Sequence, residues 1–117
     1  MKHLLVVDDD PTAVDALRTL LEMDGYQVDG FTVPAAAVAL LRRDPVDLVI
    51  TDLEMPGVHG TDVVRAAHAA GTPVLIVTAY AHSPAAASAV ALGACAVMPK
   101  PVDYGKLLVA ITKALDG

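Results

Sequence analysis

The sequence predicts an α/β fold in which a parallel sheet lies between two layers of helices, and three observations carry that prediction. Short apolar runs rich in β-branched residues alternate with longer helical patterns five times along the 117 residues. Most of these runs lack the in-out alternation of a half-exposed strand, as expected when both faces of a sheet are covered. Four of them end on a reactive side chain: Leu4–Val7 on Asp8-Asp9-Asp10, Leu48–Thr51 on Asp52, Val74–Val77 on Thr78, and Ala96–Pro99 on Lys100. Parallel strands finish on one edge of their sheet, and ligands bind in the crevice outside that edge. Acids, a hydroxyl and an ammonium that are distant in sequence should therefore converge on one small site.

Each element has a local reason. Asp10 caps a first helix predicted over Pro11–Met23, where proline suits the first turn. Ala13, Ala16, Leu17 and Leu20 give it an apolar stripe, and Gly25 stops it. Tyr26–Phe31 reads as a short, more polar second strand near a sheet margin. Pro34–Arg43 is the second helix, closed by Asp44-Pro45, and Val46–Thr51 the third strand. Met55-Pro56-Gly57 breaks the chain before a third helix over about Gly60–Ala70. Pro73 leads into the fourth strand, Val74–Thr78. Ser83-Pro84 opens an Ala-rich fourth helix that ends at Gly93. Ala96–Met98 is the fifth strand, and Asp103 caps a last helix with Leu108, Ile111 and Leu115 on one face. Right-handed crossovers make this a (βα)5 three-layer sandwich. The flavodoxin-like sheet order 2-1-3-4-5 sets the first and third strands side by side at the switch point.

Composition bounds the function. A chain of this length predicts one domain over residues 1–117 with a core that needs no staples. The net charge of −6 disfavours a direct nucleic-acid partner, which requires a basic face. Cys95 is the sole cysteine, so no internal disulfide forms and a reducing compartment is compatible; its expected place is in or near the core. His3, His59, His68 and His82 lack ligand spacing and read as scattered surface residues. Met1-Lys2-His3 enters a strand directly, with no room for a signal peptide, and Ala85–Met98 is too short for a membrane span. The expectation is a soluble cytoplasmic protein without a membrane partner.

Asp8, Asp9 and Asp52 would meet at the switch point. Three close carboxylates cannot all stay ionised without a counter-charge. Mg²⁺ meets that need with oxygen ligands while keeping several waters, and its open positions invite a phosphoryl group. Mn²⁺ is a chemically similar substitute. One carboxylate can then act as nucleophile and form an aspartyl-phosphate. Thr78 can donate to one oxygen of the transferred group, and Lys100 can pair with another.

The motifs Val6-Val7-Asp8-Asp9-Asp10, Thr51-Asp52-Leu53-Glu54-Met55-Pro56-Gly57, Val77-Thr78-Ala79 and Pro99-Lys100-Pro101 follow four successive parallel strands. With these in order, the chain resembles the receiver domain of two-component response regulators over essentially its whole length. The resemblance implies Asp52 as phosphoacceptor and Asp9 as direct Mg²⁺ ligand, with Asp8 acting mainly through metal-bound water. It implies that Glu54 offers its backbone carbonyl to the metal, that Thr78 is the switch hydroxyl, and that Lys100 contacts the phosphoryl group. The Lys100-Pro101 bond is expected to be cis, and Gly60 fits the small residue that starts the third helix. A sensor histidine kinase or a histidine phosphotransfer protein would supply the phosphoryl group. A downstream protein or output domain would read the surface of the fourth helix, fifth strand and fifth helix, and a phosphorylation-linked homodimer is compatible with this. The domain assists its own phosphorylation and slow dephosphorylation but is a switch, not an enzyme.

Two residues depart from the pattern. Val97 stands where receivers usually carry Tyr or Phe, and Val102 replaces a common Phe. Tyr80, two residues after Thr78, is a substitute candidate for the readout. A receiver-like protein-interaction scaffold that is never phosphorylated is the alternative reading, separated by whether Asp52 takes a phosphoryl group. A haloacid-dehalogenase-type phosphohydrolase fits less well, because Met55-Pro56-Gly57 and the short chain leave no cap. The chain ends at Gly117 without an output domain, as a stand-alone receiver or a piece of a larger regulator would.

Overall fold

The computed structural model describes residues 1–53 and 60–116. The Met55-Pro56-Gly57 break, the Glu54 carbonyl, His59 and Gly117 lie outside these residues. Five strands, β1 (His3–Val7), β2 (Gln27–Phe31), β3 (Leu48–Thr51), β4 (Val74–Thr78) and β5 (Ala96–Pro99), form one sheet in the order β2-β1-β3-β4-β5. Every pairing is parallel. The register aligns Val7 with both Phe31 and Thr51, Thr51 with Ile76, and Thr78 with Pro99. The residues just past Val7, Thr51, Thr78 and Pro99 therefore share one edge.

Successive strand residues face opposite layers. Leu5, Val7, Val49 and Ile76 pack with Ala37, Leu40, Val63, Ala67, Ala86 and Ala89 of α2 (Pro34–Arg43), α3 (Gly60–Ala69) and α4 (Pro84–Ala91). Leu4, Val6, Leu48, Ile50, Leu75 and Val77 pack on the other face with Leu21, Leu107 and Ile111 of α1 (Pro11–Met23) and α5 (Tyr104–Asp116). The central strands β1, β3 and β4 are buried on both faces, which is why their sequences read as unbroken apolar runs.

Helix starts follow the expected chemistry. The Asp10 carboxylate accepts from Thr12 N at 3.0 Å, Ser83 Oγ from Ala86 N at 3.1 Å, and Asp103 Oδ1 from Lys106 N at 3.1 Å. Helix faces differ from the sequence reading in two places. The buried side of α1 is Val14 and Leu21, with Leu17 half-buried, while Leu20 stays 39% exposed. In α5 the buried pair is Leu107 and Ile111, flanked by half-buried Leu108 and Leu115. Strand β2 begins one residue after Tyr26, whose N–H turns back to Leu21 O at 3.1 Å, and β3 begins two residues after the buried Val46. Cys95, expected in or near the core, is exposed instead, because it sits one residue before the margin strand β5. Gly30 of β2 is needed for packing: a Cβ there would run into the Val14 side chain.

Candidate functional site

The main chain around each acid is tied into the sheet. Asp8 N donates to Phe31 O at 3.1 Å, and Asp52 N donates to Val7 O at 3.0 Å. These bonds extend the β1–β2 and β1–β3 ladders past their last paired residues and hold Asp8 and Asp52 on neighbouring strands. One carboxylate oxygen from each of Asp8, Asp9 and Asp52 lies within 4.8 Å of the others. Asp8 and Asp52 are buried, whereas Asp9 is exposed.

Lys100 enters from the far end of the sheet. Its backbone N donates to Thr78 O at 2.9 Å, joining the ends of β4 and β5. Its Nζ donates to Asp8 Oδ2 at 2.6 Å and to Asp52 Oδ2 at 2.8 Å. The Lys100-Pro101 peptide bond is cis. Partial burial works against the ammonium, but its hydrogen bonds to Asp52 and Asp8, and their charges, prevail and hold its pKa above the usual lysine range. The Asp9 carboxyl is pushed above the usual range, first by partial desolvation and then by hydrogen bonding with and repulsion from Asp8, with Asp52 adding more repulsion.

Asp52 is fixed on both sides. Its Oδ1 accepts from Leu53 N at 2.6 Å, and its carbonyl accepts from Thr51 Oγ1 at 2.8 Å. Gly60 N reaches Leu53 O at 3.3 Å. A Cβ on Gly60 would collide with the Asp52 carbonyl and with Leu53 Cα, so only glycine lets α3 start this close to Asp52. Thr78 is fully buried, and its Oγ1 accepts from Tyr80 N at 3.2 Å. Tyr80 itself is 63% exposed. Val97 is half-buried against the α2–α4 layer.

The structure thus brings Asp8, Asp9, Asp52 and Lys100 together and puts Thr78 on the same sheet edge. Glu54 lies outside the described residues. The sequence reading missed the Thr51 hydroxyl and the Leu53 amide. Threonine in a strand and a main-chain N–H carry no distinctive signal. The donor set suits a hard divalent cation: all oxygen, closely grouped, and still net negative with one ammonium among three carboxylates.

A family model described as the response regulator receiver domain matches residues 4–112. The chain belongs to that family. The chain is 40% identical over 114 residues to the phosphoglycerate transport system transcriptional regulatory protein PgtA of Salmonella typhimurium, covering 96% of this chain and 28% of that protein. A CheY-like receiver domain from Methanospirillum hungatei matches with a TM-score of 0.93 at 30% identity, over 99% of this chain and 94% of that one. The response regulator TrrA of Thermotoga maritima, solved in complex with Mg²⁺-BeF, matches with a TM-score of 0.87 at 31% identity, over 98% and 100% of the two chains. The chain spans between about a quarter and about half of the length of the curated relatives it matches. A receiver domain is a signalling module of two-component systems, and this one has, among its described residues, no helix long and apolar enough to cross a membrane.

Proposed function

We propose that residues 1–117 form a single phosphorylation switch in which Asp52 takes a phosphoryl group from a histidine of a sensor kinase or a phosphotransfer protein. The observation that carries this reading is Lys100 Nζ bridging Asp8 and Asp52 beside Asp9, four charged groups delivered by three different strand ends. An oxygen of the Asp52 carboxylate attacks the donor phosphorus. The new O–P bond forms as the P–N bond breaks, and the electron pair leaves with the imidazole nitrogen. Hydrogen bonds from Leu53 N and Lys100 Nζ hold the carboxylate in place before attack. Lys100 then pairs with a phosphoryl oxygen, and the Thr78 hydroxyl donates to another.

Asp9 would ligate Mg²⁺ directly, Asp8 through water, and Asp52 and the Glu54 carbonyl would complete the protein's share. Mg²⁺, when bound, neutralises charge on the transferred oxygens. Drawing Thr78 and Lys100 inward would shift an existing equilibrium at the surface of α4, β5 and α5, where a downstream protein or output domain reads the state. A cytoplasmic location fits that role.

Incubation with a small acyl phosphate and Mg²⁺ tests the reading. Labelling of one residue, lost in Asp52→Asn, supports the switch. No labelling under any condition supports an interaction scaffold instead.

A further inference from the structure

Thr51 is the last residue of β3 and is fully buried. It is paired on both sides, with Val7 of β1 and Ile76 of β4. Strand alternation turns its side chain to the same face as Val49, which packs against the α2–α4 layer. A hydroxyl enclosed among apolar side chains costs stability unless it is bonded. Thr51 Oγ1 donates to Asp52 O at 2.8 Å. Branching at Cβ restricts rotation of this side chain, so the donor is stiff.

The accepting carbonyl belongs to the same peptide unit as the Leu53 N–H, which donates to Asp52 Oδ1 at 2.6 Å. In a planar trans peptide the carbonyl and the N–H point opposite ways, so holding one aims the other. Donation to the carbonyl also polarises the unit and strengthens its N–H as a donor. Gly60 lies against the same carbonyl, where a Cβ would collide with it. Lys100 Nζ holds the other carboxylate oxygen at 2.8 Å. An ammonium on a flexible stem lets a carboxylate swing about it, whereas a second donor on fixed main chain stops the swing.

We propose that Thr51 is a positioning residue for the phosphoacceptor: its hydroxyl sets the plane of the Asp52–Leu53 peptide, and that plane aims the Leu53 N–H at Asp52 Oδ1. The acid is then held in one orientation before attack, as a near-attack geometry requires. Thr51 acts only through this peptide and touches no reacting atom. A valine there would fill the same space and keep the strand while leaving the carbonyl without this donor. The inference rests on Asp52 as the phosphoacceptor. Its test also reads the Leu53 amide without any phosphoryl donor, so the two can fail separately.

Two pairs of chains that differ by one hydroxyl provide the experiment: the parent against Thr51→Val, and Thr51→Ser against Thr51→Ala. Each is labelled with a small acyl phosphate at saturating Mg²⁺, at a temperature where its far-UV spectrum is native. The hydroxyl-free member of each pair should label about five- to tenfold more slowly, the size of one intramolecular hydrogen bond. Thr51→Ser should recover most of the parent rate. In ¹⁵N-leucine-labelled, metal-free protein, the Leu53 amide proton should move upfield in Thr51→Val further than any other leucine amide, and stay in place in Thr51→Ser. The second pair decides the matter if Thr51→Val does not fold. Equal rates within a pair, equal slowing in Thr51→Ser and Thr51→Ala, or an unmoved Leu53 amide overturns the proposal. A parent chain that takes no label overturns the role of Asp52 instead, and the amide still shows whether Thr51 sets the peptide.

Discussion

The carboxylate cluster and the groove between β5 and α5 handle charge in opposite ways. In the cluster, Lys100 is pinned at 2.6 and 2.8 Å between two buried acids, and the main chains of Asp8, Asp52 and Lys100 are bonded to neighbouring strand ends. In the groove, the lining residues Lys106 and Lys113 stand exposed with no ion-pair partner among the described residues. The first arrangement limits motion, as chemistry on a transferred group requires. The second leaves both ammonium groups to solvent.

The largest test of the contrast is loss of the nucleophile. Asp52→Asn is expected to abolish acyl-phosphate labelling while the far-UV spectrum stays native. Lys100→Met comes next. It should slow labelling by about a hundredfold or more, as removal of a positioned charge donor does. In chelator it should also lower unfolding free energy by about 2 kcal/mol, because Asp8 and Asp52 then face each other without a cation; the fully buried figure is reduced here because Lys100 is partly exposed. A urea titration measures the second effect. An unchanged midpoint would show that the bridge is incidental to stability.

Gly60→Ala should cost about 1–3 kcal/mol and slow labelling together, since the added methyl has only main chain to push against. Protons and Mg²⁺ should compete at Asp9. Its pKa lies above the usual carboxylate range, so metal affinity should fall on acidification from a higher pH than for an ordinary aspartate, and Asp9→Asn should flatten that profile in a fluorescence or calorimetric titration. The smallest effect has the opposite sign from the Lys100 change. Lys106→Glu should raise stability by about 0.3–1 kcal/mol by suiting the α5 dipole. A fall in the melting temperature instead would show that Lys106 serves the fold.

The sequence made the sheet legible because covered parallel strands leave unbroken apolar runs, and it made the site legible because each run stops on a chemically distinct residue. The side of α1 that faces the sheet was not legible. Positions 13, 14, 16, 17, 20 and 21 are all apolar, so two adjacent stripes compete, and only packing against Gly30 and the sheet selects Val14, Leu17 and Leu21. In α5 the same ambiguity hid Leu107 behind Leu108. Cys95 was misplaced because its small, apolar character says core, whereas its exposure follows from β5 being the outermost strand. The supports of Asp52 were invisible for a different reason. The Leu53 amide exists at every non-proline residue, and nothing in composition marks the one that meets a carboxylate.

The tight seat of α3 against Asp52 has a wider consequence. With no space for even a methyl group at Gly60, α3 cannot tilt toward the acceptor strand without displacing its backbone. A partner that tilts α3 from outside would therefore turn the Asp52 carbonyl, making the reactive acid responsive to pressure on a surface it never touches.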